Sequence, residues 1–217
     1  MHMKIKILMT TLVLAGLVGN ANATALAVNT STAPVDIVGS YFGGTLLDTA
    51  TTAISNASYN GTARSAVYST ASGLDFYYQF TSEESSQNGI HRFAAFDFSS
   101  LGASSVDVFQ TATSFGIFTT GTETSDNADR SLAGVIGFNF IPVGLGDIQP
   151  GTTSYIQIIR TNATNYQPGN FVISNGIGSN ADGFATSAVP EASTSLMVLS
   201  GLGLMGLIGA RRSKKTS

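Results

Sequence analysis

The stretch Leu74-Asp75-Phe76-Tyr77-Tyr78-Gln79-Phe80 sets Leu74, Phe76, Tyr78 and Phe80 at every second position, with Asp75, Tyr77 and Gln79 between them. Side chains two apart share one face of an extended chain but not of a helix, so this pattern commits the segment to β-structure. Ile136, Phe138 and Phe140 repeat it with Asn139 opposite, until Pro142 ends the run. Ile156 and Ile158 do so again, flanked by Gln157 and Arg160. Weaker strands are expected over 37–42, 63–69, 90–98, 106–110, 115–119 and 171–174.

Between these runs lie Gly, Ser, Thr, Asn and Ala, with a break every eight to twelve residues or so, the spacing of a sandwich or barrel. Ala71-Ser72-Gly73 is expected to turn the 63–69 strand into the Leu74 strand. Gln149-Pro150-Gly151 and Gln167-Pro168-Gly169 read as turns, because Pro fixes φ and Gly accepts a positive value. Residues 45–55 are the one place in the body that leaves room for a short helix. No internal repeat is present, which excludes a solenoid or blade array. The fold class is all-β: a single β-sandwich of jelly-roll or immunoglobulin-like type over 24–188.

Both ends of the 217-residue chain read differently. Residues 1–23 have the form of a secretory signal peptide. Lys4 and Lys6 supply the positive start, 7–18 the apolar stretch, and Ala21-Asn22-Ala23 a small-x-small cleavage site. At the other end, 194–210 is apolar or small throughout, and would extend roughly 25 Å as a helix, enough to cross a thin bilayer. Arg211, Arg212, Lys214 and Lys215 follow at once and form a membrane stop within the basic tail 211–217. Because positive flanks stay cytoplasmic, everything before Val189 is expected on the outer side.

Just ahead of that apolar stretch stands Val189-Pro190-Glu191-Ala192-Ser193. This motif, an apolar span and an arginine-rich end, together 189–217, resemble the PEP-CTERM sorting signal of bacterial surface proteins. Ala192 stands where that family usually has a second proline. The resemblance implies that Val189, Pro190 and Glu191 are the recognition element. Its reader would be an exosortase-like membrane protease or transpeptidase, which removes the tail during export. The membrane would hold the chain through 194–210 only until processing. A sortase site would need Leu-Pro-x-Thr-Gly, which is absent, and a glycolipid-anchor signal would end without cations.

With the two ends set aside, the body keeps four arginines, no lysine and twelve acidic residues, a net charge of −8. Such a surface lacks the clustered cations that nucleic acid or anionic lipid requires, so no nucleic-acid partner is expected. There is no cysteine, so an apolar core must carry stability in an export compartment that permits disulfides. About 160 residues suffice for one such core.

Catalytic groups are sparse. His91 is the only histidine after the signal peptide, and no Gly-x-Ser-x-Gly elbow nominates a nucleophile for it. Glu83 and Glu84 adjoin in a polar loop and read as a solvated turn, not as two carboxyls placed across a sugar. Catalytic residues are therefore expected to be none. No cofactor is expected either, although Asp126, Asn127 and Asp129 in one polar loop and Asp182 in another offer hard oxygen donors to a structural calcium. The simpler reading is that loops favour Asn and Asp. Tyr41, Tyr77 and Tyr166, if exposed, would give a carbohydrate partner its apolar contact.

Three classes of function follow. The first is a non-enzymatic surface or matrix protein of a Gram-negative bacterium, with exopolysaccharide as its partner. The second is a calcium-assisted, lectin-like module, and the third a secreted hydrolase. The first is preferred, because the chain lacks the titratable clusters that catalysis concentrates in a cleft.

Overall fold

The computed structural model describes residues 24–37, 43–102, 106–140 and 147–187. Their regular structure is all β: β1 (Thr24–Ala25), β2 (Thr30–Thr32), β3 (Val35–Asp36), β4 (Thr45–Ser55), β5 (Asn60–Thr70), β6 (Gly73–Ser82), β7 (Arg92–Ala95), β8 (Val106–Thr111), β9 (Asn127–Arg130), β10 (Ile136–Asn139), β11 (Ile156–Thr161), β12 (Tyr166–Ser174) and β13 (Gly178–Thr186). They form two sheets. The first runs β1-β8-β11-β6-β5-β4, with β3 also beside β8, and the second runs β13-β12-β7-β10-β9-β2. Every strand pair is antiparallel except β3 with β8. After the β4-β5-β6 meander the chain crosses to the second sheet for β7 and back for β8. It crosses again for β9 and β10, returns for β11, and ends in the β12-β13 hairpin. This is a two-sheet β-sandwich, as the alternation implied.

The main core fills the space between the sheets. Leu74, Phe76, Tyr78 and Phe80 of β6 meet Phe93, Phe138, Phe140, Phe171 and Ile173 across it. The rings pack edge-on, as Phe76 and Phe98 do at 5.1 Å, which suits the positive edge and negative face of each ring.

The other face of β6 is buried as well. Asp75, Tyr77 and Gln79 are each inaccessible to solvent. Arg160 engages Asp75, and over Tyr77 and Gln79 the cover is a strap that leaves the first sheet after β8 and recrosses its outer face. Gly116 takes φ +56° and the Phe118 amide bonds back to the Phe115 carbonyl, turning both rings down onto Tyr77. Gln79 then pairs with the strap as another strand would. Its Nε2 donates to the Thr119 carbonyl at 2.7 Å, and its Oε1 accepts from the Thr119 amide at 2.9 Å. Gln110 accepts from the Ser125 amide in the same way, at 2.9 Å.

Several local expectations are corrected. Residues 45–55 form edge strand β4 and no helix, since Thr and Ile there suit the pleat and β5 supplies a full ladder. Residues 115–119 are the strap turn and not a strand. The 37–42 segment yields only the short β3 before it, and 38–42 lie outside the described residues. Pro168 sits inside β12, not in a turn. There β12 pairs with β13 alone, because β7 covers only Phe171 to Ser174, so the missing N–H costs no ladder bond on the β7 side. Asn127 and Asp129 belong to β9, and Asp182 to β13, so neither set is a loop. The two other turns hold: Gly73 has φ +138°, and Gly151 has φ +81°.

Candidate functional site

Strand register sets two arginine–carboxylate pairs in the body. On the first sheet, β11 runs beside β6 with Arg160 opposite Asp75. The Arg160 guanidinium grips the carboxylate with Nη2 to Oδ2 at 2.8 Å and Nε to Oδ1 at 3.0 Å, and lies 5.6 Å from the Phe109 ring centroid. Burial pushes the Asp75 carboxyl above its usual range, and the bonds from Arg160 pull against that shift.

On the outer face of the second sheet, β9, β10 and β7 bring Asn127, Asn139 and Arg92 into one row. Arg92 forms an ion pair with Asp129, its Nη2 donating to Oδ1 at 2.8 Å. The Asn139 amide joins them, donating to Asn127 at 2.7 Å and to Asp129 at 2.8 Å. Gly137 makes the pair possible. A Cβ there would lie 2.0 Å from the guanidinium, so only glycine lets Arg92 cross flat over β10. The hydrogen bond from Arg92 holds Asp129 below the usual carboxylate range, against an opposing effect of burial.

The candidate oxygen donors for calcium are thus dispersed or engaged. Asp129 and Asn127 are bound to Arg92 and Asn139, while exposed Asp126 flanks β9. Asp182 is bonded to Thr52 at the far edge of the sheet, with β12, β7 and β10 between it and β9. Among the described residues no three metal-ligating side chains of His, Cys, Asp or Glu converge. His91 Nε2 lies 3.1 Å from Asp147 Oδ2. Glu83 and Glu84 are exposed in the turn after β6. Tyr77 is fully buried and so offers no platform to a sugar, and Tyr166 packs edge-on to Phe184. Tyr41 lies outside the described residues, as do Ala21, Ala23, Val189, Pro190, Glu191 and the cations from Arg211 to Lys215.

Sequence reasoning did not find the Arg92–Asp129 pair or the strap-holding glutamines. The signal for the first was a glycine inside an otherwise apolar strand, at Gly137, which marks a close approach.

The fold places the body among two-sheet β-sandwich proteins. Residues 188–213 match the family model of the PEP-CTERM protein-sorting motif. These residues thus carry a PEP-CTERM sorting motif, which indicates an exported chain held transiently in the membrane and implies processing by an exosortase-type membrane enzyme. No curated protein and no solved structure matches it. No helix of the described residues is long and apolar enough to cross a membrane.

Proposed function

We propose that the protein is a non-enzymatic component of a bacterial surface or extracellular matrix. The sorting motif delivers it, and its acidic sandwich works by staying in the exopolysaccharide layer. The observation that carries this reading is the PEP-CTERM match at 188–213, joined to a body of charge −8 with no lysine. Polar groups in the interior serve the fold: Arg160 with Asp75 and Gln79 with the strap tie elements together. The exposed carboxylates of the body bind divalent cations weakly at many points, and these cations in turn bridge to acidic polysaccharide.

The test incubates the protein with its host's own exopolysaccharide, with and without EDTA, and assays it on glycan and ester substrates. Retention lost on chelation supports the reading. Substrate turnover abolished by His91→Ala overturns it in favour of a hydrolase. Chelator-independent capture of one neutral sugar favours a lectin-like module.

A further inference from the structure

Arg64 stands apart from the other arginines of the body. Arg92 and Arg160 are paired with carboxylates, and buried Arg130 donates to the carbonyls of Leu101 at 2.9 Å and Gly102 at 3.2 Å. No carboxylate of the described residues pairs with Arg64, although the body has three acids for every arginine and all of them are described. Its guanidinium is half-buried on the outer face of β5 and, among the described residues, gives one bond, Nη1 to Thr81 Oγ1 at 2.8 Å. A guanidinium has five N–H donors, so most of this fork faces outward unused. Partial loss of water also lowers its pKa, a cost that no anion offsets.

A second donor converges on the same spot. Thr81 Oγ1 accepts from Arg64 and also from the Thr153 hydroxyl at 3.3 Å. With both approaches to its oxygen taken, its own O–H is left to point away from them, and no described acceptor receives it. The surroundings are hydroxyls. Thr51 lies across the ladder on β4, and Thr62 is one face-position away on β5, opposite Thr81. The strap, tied down through Gln79 and Thr119, forms one wall, and the open side runs out over the exposed edge of β4.

We propose that this shelf is a binding site for the carboxylate of an acidic sugar, with Arg64 and Thr81 holding the carboxylate and threonine hydroxyls meeting the sugar hydroxyls. A planar fork beside a free O–H matches two carboxylate oxygens, and the site requires no metal. The proposal rests on the polysaccharide-layer reading and makes a distinct claim within it: one cation-independent contact beside the many bridged ones.

The test is calorimetric titration of the full-length chain in detergent, with EDTA present throughout. The probes are a linear tetramer of hexuronic acid, the matching neutral hexose tetramer, and inorganic phosphate. The uronate is expected to bind and the neutral tetramer not. Arg64→Gln should weaken uronate binding by about tenfold or more, whereas Arg64→Lys, which keeps the charge without the fork, should lose less. Thr81→Val keeps the shape of the strand and should weaken binding by a smaller factor, and it carries the test if Arg64→Gln fails to fold. Equal binding by wild type and both variants overturns the site, as does neutral tetramer bound as well as uronate. Phosphate bound more tightly than uronate reassigns it away from sugars. If Arg64→Gln still clings to the native polysaccharide in an EDTA-sensitive way while losing nothing against the tetramer, the shelf falls and the cation-bridged reading survives.

Discussion

The Tyr78 hydroxyl crosses the sandwich and donates to the main-chain carbonyl of Phe184 at 2.6 Å. Phe184 lies on β13 at the end of the second sheet, and its carbonyl points away from β12, to the side where no further strand pairs with it. A side chain of the first sheet therefore satisfies a backbone acceptor of the second. Burial raises the phenol's pKa, so it stays a donor at any ordinary pH. The Tyr59 hydroxyl likewise donates to a main-chain carbonyl of the second sheet, that of Ile173, at 2.6 Å.

Tyr78→Phe keeps the ring in the core and leaves the Phe184 carbonyl without this partner. The expected loss is about 1–3 kcal/mol, the usual cost of stranding a buried polar group. Urea unfolding followed by circular dichroism measures it, and the midpoint should fall with an unchanged slope.

Edge strand β4 is open to solvent along most of its length and has neither Lys nor Pro to discourage pairing with another chain. Two other features protect it. Its register slips between Leu46 and Asp48, and Asp48 pairs with Val67. A bulge and an exposed charge beside it thus break the edge near its start. Asp48→Val should leave the fold intact and promote self-association, visible as a concentration-dependent mass increase in light scattering. A strictly monomeric variant at high concentration would show that the charge does not guard the edge.

The Arg92–Asp129 pair gives a signed pH dependence. Asp129 has a depressed pKa in the folded state, so its contribution is present above the unfolded carboxylate value near ~3.9 and is lost as pH falls through the folded value. Asp129→Asn should flatten the loss of stability on the acid side, read as the thermal midpoint against pH. Gly137→Ala places a methyl group where the guanidinium lies and should give a similar flattening at small cost to stability near neutral pH, because the far end of a flexible side chain can move away. The pair is about one third exposed on each side, so both effects should be modest and weaken with salt.

The architecture was legible because period-two runs such as 74–80 record burial on a sheet. What the runs could not show was that Asp75, Tyr77 and Gln79 would be buried too. The cover comes from a strap about forty residues further on, whose Phe115 and Phe118 read as strand apolars because a single glycine decides between strand and turn. Pro168-Gly169 misled for a related reason. Proline and glycine signal a turn locally, but the unpaired stretch of β12 tolerates both, and only the sheet order shows which stretch is unpaired. The Asn- and Asp-rich segments at 126–129 and 180–183 read as loops by composition, yet β9 and β13 accept them on their solvent-facing side. The sorting motif was legible in full, because its information is sequential and needs no partner from elsewhere in the chain.

The central claim is that the tail delivers the body. Pro190 biases Val189 to an extended form that an enzyme can read as a strand, and Glu191 resists entry into lipid. The direct measurement is mass spectrometry of the C-terminus of the surface-exposed protein, from cells making either the wild-type chain or the Pro190→Ala, Glu191→Ala double variant. Wild type should end near Val189 to Ser193 without the residues beyond, while the double variant should stay full-length in the inner membrane. A double variant that reaches the surface with the wild-type C-terminus, or a wild-type surface protein that still carries Arg211 to Ser217, would contradict the account.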